Sequence, residues 1–209
     1  MSYTYTLRNI ICNDYTIVRH NNKGRMFNFF TMTPKIIRNE YLFCGKPLIE
    51  LDINNCIPML ILEFLNMDNI NKEELNDYIN SFENKTLHND INNLFNIKDA
   101  KIALIKYVYF DREKRNNKIK KYFSNRFPTI YKEILNFKKT PNYSNILYEK
   151  EAEIIIDEIL NLCFKMDLPV LTIHDALFTN EDYINKLKEI VDNKLNKVTK
   201  NIKLTYKIK

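Results

Sequence analysis

Two acids in this sequence stand at the ends of apolar runs: Asp52 in IELDINN and Asp175 in TIHDAL. A carboxylate placed directly after buried β residues loses water, and it needs a cation, a hydrogen-bond donor or a sharp turn in exchange. Singly, each acid has a bland explanation, Asp52 capping the helix that follows and Asp175 making a turn. Together they suit phosphoryl transfer assisted by two metal ions. In that chemistry carboxylates from separate strands converge, so that ions about 3.5–4 Å apart bridge the attacking and leaving oxygens. Mg²⁺ takes oxygen ligands and keeps several waters, so two carboxylates and one backbone carbonyl, here that of Ile53, are enough protein.

The elements that must position these acids are legible in the pattern. KPLIELDI, from Lys46 to Ile53, reads as a buried strand ending at an acid. LPVLTIHDALFT reads as two strands joined by a tight turn with His174 and Asp175 at its tip. Between them lie helical segments: IPMLILEFLNM with Pro58 in its first turn, and NKEELNDYINSF capped by Asn71 with Glu74 three residues on. A partly basic stretch from about Ile97 to Asn117 follows, then IKKYFSNRFPTIYKEILNF, interrupted at Pro128. EKEAEIIIDEILNLCFKM has the spacing of a core helix, and a last amphipathic helix from about Asn180 to Val198 leads into an alternating strand, KLTYKIK. The first twenty residues alternate in places and suggest short strands. Mixed strands and runs of helices predict an α+β fold.

Length and composition set limits on function. A chain of 209 residues, 45% hydrophobic and 28% charged, has the makeup of a globular protein. Its net charge of +6 and pI near 9.0 suit a phosphate-rich partner without proving one. Cys12, Cys44, Cys56 and Cys163 form no CxxC pair and have no histidine at ligand spacing, which argues against a zinc site and for free thiols. The start MSYTYTLRNI lacks a signal-peptide pattern, and no apolar stretch is long enough to span a bilayer, so a cytoplasmic protein with no membrane partner is expected. With two glycines in the whole chain, Gly24 and Gly45 are expected where backbone geometry demands them. His20 and His88 have no constellation around them, and Phe27, Phe29 and Phe30 fit core packing better than base stacking.

The segment running from Asn21 through Gly24-Arg25, Pro34 and Arg38 to Asp52 resembles the approach to motif A in family A DNA polymerases. TIHDALFT is similar to motif C of that family and of single-subunit phage RNA polymerases, and RFPTIYKEI resembles its Tyr-Pro segment in the fingers. The resemblance runs from about residue 22 to the C-terminus. It implies an antiparallel palm sheet with packed helices and a small helical fingers region. The divisions are an N-terminal extension over 1–21, palm over 22–68, fingers over 69–145 and palm again over 146–209. It further implies template-directed nucleotidyl transfer, with Asp52 and Asp175 catalytic and two Mg²⁺ ions held by Asp52, Ile53 and Asp175. Primer-template nucleic acid and nucleoside triphosphates are the implied partners. Arg25 would reach the minor groove at the primer end, His174 would lie near the primer terminus, and Arg38 would touch phosphate or pair with Glu40 or Glu50. Asn55 and Ile57, which follow the first acid, would border the incoming nucleotide.

Some positions depart from the family. Lys101, Ile105 and Tyr109 have motif B spacing, which on a helix puts Lys101 and Tyr109 on one face for the triphosphate and the nascent pair. Ile105 stands where an aromatic is usual and Phe110 where glycine follows. An alternative frame uses Lys106 and Phe110, and a basic helix with apolar residues facing a core fits as well. Ile57 replaces the Glu that excludes a ribose hydroxyl, and Ala176 follows the His-Asp pair. No segment ahead of residue 22 is long enough for a thumb or a proofreading exonuclease, so low processivity is expected unless a partner subunit supplies the clamp. The rival expectations are a catalytically inactive palm-like nucleic-acid-binding or polymerase accessory protein, and one chain of a split polymerase.

Overall fold

The computed structural model of the chain describes residues 18–19, 23–43, 45–110, 117–198 and 204–209. The strands expected in the first twenty residues therefore lie outside the described residues, except for Val18–Arg19. So do Cys12, His20 and Cys44, and part of the helical segment expected up to Asn117.

In chain order the elements are β1 (Val18–Arg19), β2 (Met26–Phe27), α1 (Phe29–Met32), α2 (Lys35–Arg38), β3 (Leu42–Phe43), β4 (Lys46–Pro47) and β5 (Ile49–Ile53). There follow α3 (Cys56–Leu60), α4 (Lys72–Glu83), α5 (Thr86–Phe95), α6 (Ala100–Leu104), α7 (Lys118–Arg126), α8 (Pro128–Phe137) and α9 (Tyr143–Ala152). The chain ends with α10 (Asn161–Lys165), β6 (Leu171–Ile173), β7 (Ala176–Thr179), α11 (Ile184–Val198) and β8 (Tyr206–Ile208). The fold is α+β, with a small antiparallel sheet and packed helices. It divides into two compact units, one of residues 1–54 and 148–209, the other of residues 55–147.

In the first unit the strand order is β6-β7-β5-β8, every neighbour antiparallel. The single strand expected over Lys46–Ile53 is divided in two. Lys46–Pro47 pairs with Leu42–Phe43 as a separate hairpin, and Ile49–Ile53 enters the sheet. Pro47 carries no N–H, which limits how far that hairpin can extend. Gly45, in the turn of the hairpin, has φ +77, a conformation that side chains resist. One apolar cluster gathers Phe30, Ala176 and Phe178, with Phe29, Tyr41, Leu48, Leu171 and Ile173 packed against it. Phe30 is fully buried and meets Phe178 edge-on at 5.2 Å, so its role is the core one expected. The helix expected over the Ile-rich EKEAEIIIDEIL run is observed, but Glu153–Leu160 within it is π-helical.

The second unit is helical. Asn71 caps α4 as expected, its side-chain oxygen accepting from the N–H groups of Glu73 and Glu74. Glu74 does not reach back to Asn71. Its carboxylate accepts from the N–H groups of Thr129 and Ile130, and so satisfies the first turn of α8. That turn opens with Pro128 after Phe127, which offers no side-chain cap. The helix expected over IPMLILEFLNM is α3 followed by short 3₁₀ turns at Ile61–Phe64 and Met67–Asn69. An aromatic core of Tyr78, Phe82, Tyr109, Phe123 and Phe127 holds the helices together through edge-to-face contacts.

Candidate active site

β5 and β7 carry the two acids to one place. The register sets Asp52 opposite Ala176, the residue after Asp175, and the N–H of Ile53 donates to the carbonyl of Asp175 at 3.1 Å. Asp52 and Asp175 both line a cavity of about 440 Å³, together with His174, Arg38, Lys35, Glu50 and Lys209. Asp52 does not cap the helix after it, because Asn55 occupies that position in a left-handed conformation with φ 49.

Asp52 is 8% exposed, and a buried carboxylate needs compensation. It comes from β8: Lys207 Nζ lies 3.0 Å and Lys209 Nζ 2.8 Å from the same oxygen, Oδ2. Burial pushes the Asp52 carboxyl up while Lys209 and Lys207 pull it down, and the lysines prevail, holding it below the usual carboxylate range. Lys209 also reaches Glu50 at 2.6 Å. None of these three partners stood out in the sequence as a motif. Their signal is a complementary alternation, Glu50-x-Asp52 against Lys207-x-Lys209, since alternate residues share one face of a strand.

The hairpin tip is a built feature. His174 has φ +53, a backbone state uncommon outside glycine. Its ring meets Phe27 edge-on at 6.4 Å, and its Nδ1 is buried with no hydrogen-bond partner among the described residues. Burial, then the nearby Arg25 and Arg38 charges, push its imidazole down to about 4, so it is neutral at pH 7.

Arg25 forks onto Glu151 through Nε and Nη2 at 2.7 and 2.9 Å, and its guanidinium lies 4.0 Å above the Tyr148 ring. Its expected reach into a minor groove competes with that engagement. Arg38 donates to the carbonyl of Thr33 at 2.8 Å and lies over Phe30, and Glu50 acts on it electrostatically.

Four expected nucleotide-binding residues belong to the second unit. Tyr109 is a correction: it is fully buried, and its hydroxyl bonds that of Tyr78 at 2.8 Å, so no ring face is left for a nucleotide. Ile57 is likewise buried, at 6% exposure, which removes it as a surface bordering a sugar. Asn55 donates its side-chain amide to the carbonyl of Phe82 at 3.1 Å, a structural role. Lys101 is half-buried in α6. The spacing argument for motif B fails because Ile105–Tyr109 is π-helical, with Phe110 donating to Ile105 at 2.9 Å. Residues four apart on such a segment no longer stack on one face.

The arrangement defines a mixed α+β protein with two carboxylates on adjoining strand ends of an antiparallel sheet, set among basic side chains. No protein-family model, curated protein or solved structure matches the chain. No helix among the described residues is long and apolar enough to cross a membrane. No group of three or more His, Cys, Asp or Glu side chains that could hold a metal occurs among them either.

Proposed function

We propose that this protein is a template-directed nucleotidyltransferase of the family A polymerase kind, which extends a primer from nucleoside triphosphates with Asp52 and Asp175 as its metal-binding acids. The observation that supports this reading is that Asp52 and Asp175, on neighbouring strand ends of the β5–β7 pair, both line one cavity. The donor set suits Mg²⁺: hard carboxylate oxygens, with the Ile53 carbonyl at the end of the same strand. The two ammonium groups drawn onto Asp52 mark a position where positive charge is favoured. When bound, two Mg²⁺ ions supply charge neutralisation at the attacking and leaving oxygens.

The chain's own residues do the rest. Asp52, ionised and fixed within the sheet, presents its carboxylate to the cavity. Lys35 and Arg38 add positive charge to the same wall, where a triphosphate is attracted. His174, neutral and held at the hairpin tip, can orient a substrate hydroxyl by hydrogen bonding without adding charge. Buried thiols at Cys56 and Cys163 accord with a reducing cytoplasm.

A second reading is an inactive palm-like protein that binds nucleic acid or a polymerase subunit, or one chain of a split polymerase. The burial of Tyr109 and Ile57, where the family would place nucleotide contacts, favours it. Primer extension with Mg²⁺ and either nucleotide type separates these readings. Incorporation that is lost in both Asp52→Ala and Asp175→Ala supports the enzyme. Duplex binding with no incorporation under any divalent metal supports the inactive protein, and activity that requires a second subunit supports the split enzyme.

A further inference from the structure

The last strand delivers two ammonium groups onto the carboxylate that the proposed chemistry needs for metal. Lys207 pairs directly across from Asp52 in the β5–β8 register. Lys209 is two residues on, tied by its N–H to the carbonyl of Glu50 at 3.0 Å, with Glu50 returning the bond at 3.2 Å. Sheet register therefore aims both side chains at Asp52, since alternate residues share a face. The exposures are unequal: the side chain of Asp52 is 11% exposed, those of Lys207 and Lys209 47% and 39%. The acid is fixed, whereas each ammonium rides on a flexible stem that reaches water. A carboxylate oxygen engaged by two ammonium groups is available to a metal only when they withdraw.

We infer that Lys207 and Lys209 are built-in counter-ions of the metal site, holding Asp52 in the metal-free protein and displaced from it by the divalent cation. They thereby set the metal concentration at which the site fills. This rests on the reading of Asp52 as a metal ligand and adds to it a lysine pair that the motif resemblance does not assign. Lys209 keeps a partner when displaced, because Glu50 already accepts from it at 2.6 Å. Lys207 swings into solvent. The two lysines also hold the buried acid in place before metal arrives, when an unpaired charge is most costly.

The test is Mn²⁺ binding, read by the electron paramagnetic resonance of free Mn²⁺ and competed with Mg²⁺. The proteins are wild type, Lys207→Met/Lys209→Met, Lys35→Met and Asp52→Asn. Methionine keeps the aliphatic stem; Lys207→Gln/Lys209→Gln is the second pair if the first folds poorly. Lys35 lines the same cavity and forms no hydrogen bond or ion pair with Asp52 among the described residues, so Lys35→Met reports loss of charge without loss of competition. The lysine pair's removal should tighten Mn²⁺ binding about tenfold, the scale set by partly exposed ion pairs. Lys35→Met should change it less than about threefold on the same scale. Equal affinity in wild type and the double variant, or an equal gain in Lys35→Met, overturns the inference while leaving the metal site standing. If neither wild type nor the double variant binds Mn²⁺, the inference and the metal-dependent reading fall together.

Discussion

Arg25 holds the carboxylate of Glu151 in a two-pronged grip, Nε to Oε1 at 2.7 Å and Nη2 to Oε2 at 2.9 Å, and Glu151 is 1% exposed. Burial lowers the Arg25 guanidinium, but Glu151, with Tyr148 and Asp175 adding to it, outweighs burial and leaves it raised. The pair connects the segment before α1 to α9 within the first unit. Arg25→Ala removes both prongs from a buried carboxylate and should cost a few kcal/mol, up to about 3–5. Arg25→Lys should recover little of it, because an ammonium cannot reproduce the planar fork. Urea unfolding of both variants checks the size and the order.

Asp52 and Asp175 are expected to act as a unit. Asp52→Asn and Asp175→Asn should each lower incorporation by at least roughly 100-fold, the scale of losing one preorganised electrostatic group at a reacting centre. The double variant should be little worse than either alone, since groups that act together are not additive. Single-nucleotide incorporation kinetics measure this directly.

Tyr78 and Tyr109 share a hydrogen bond inside the aromatic core, and Tyr78 also donates to the carbonyl of Pro58 at 2.7 Å. Burial raises both phenols far above their ordinary value. Tyr109→Phe leaves the Tyr78–Pro58 bond intact and should cost about 1 kcal/mol. Tyr78→Phe strands both the Pro58 carbonyl and the Tyr109 hydroxyl, and should cost about 2–3 kcal/mol. Guanidinium denaturation of the two variants tests the asymmetry.

His174 links stability to pH. Burial and the two arginines push its folded value down to about 4, against 6.5 for an unperturbed imidazole. Between those values the unfolded chain takes up a proton that the folded chain refuses, so stability falls as pH drops from about 6.5 towards 4. Above that window the group contributes no slope. His174→Asn tolerates the same left-handed backbone and does not titrate, so it should flatten this part of the profile. Unfolding midpoints at pH 7.0 and 4.5 compare the two proteins.

The positions that were legible in the sequence share one trait: a local pattern dictated them. The hairpin around His174 and Asp175 follows from two apolar runs with a polar tip. Asn71 as a helix cap, Pro128 as an interruption between helices and Gly45 as a position where backbone geometry demands glycine follow from local chemistry that operates within a few residues. Motif spacing over Lys101–Tyr109 misled because it assumes an α-helical period, and one added residue per hydrogen-bonded loop rotates every later side chain.

The alternation of apolar residues marked the strand that carries Asp52, the hairpin that carries Asp175 and the longer helices, because those are properties of neighbouring residues. Only the tertiary structure decided that β5 lies between β7 and β8. That placement gives Asp52 one neighbour strand that leads to Asp175 and another that carries Lys207 and Lys209. Strand order depends on pairing between residues more than a hundred positions apart, where sheet hydrogen bonds carry no sequence label and packing of the whole chain makes the choice.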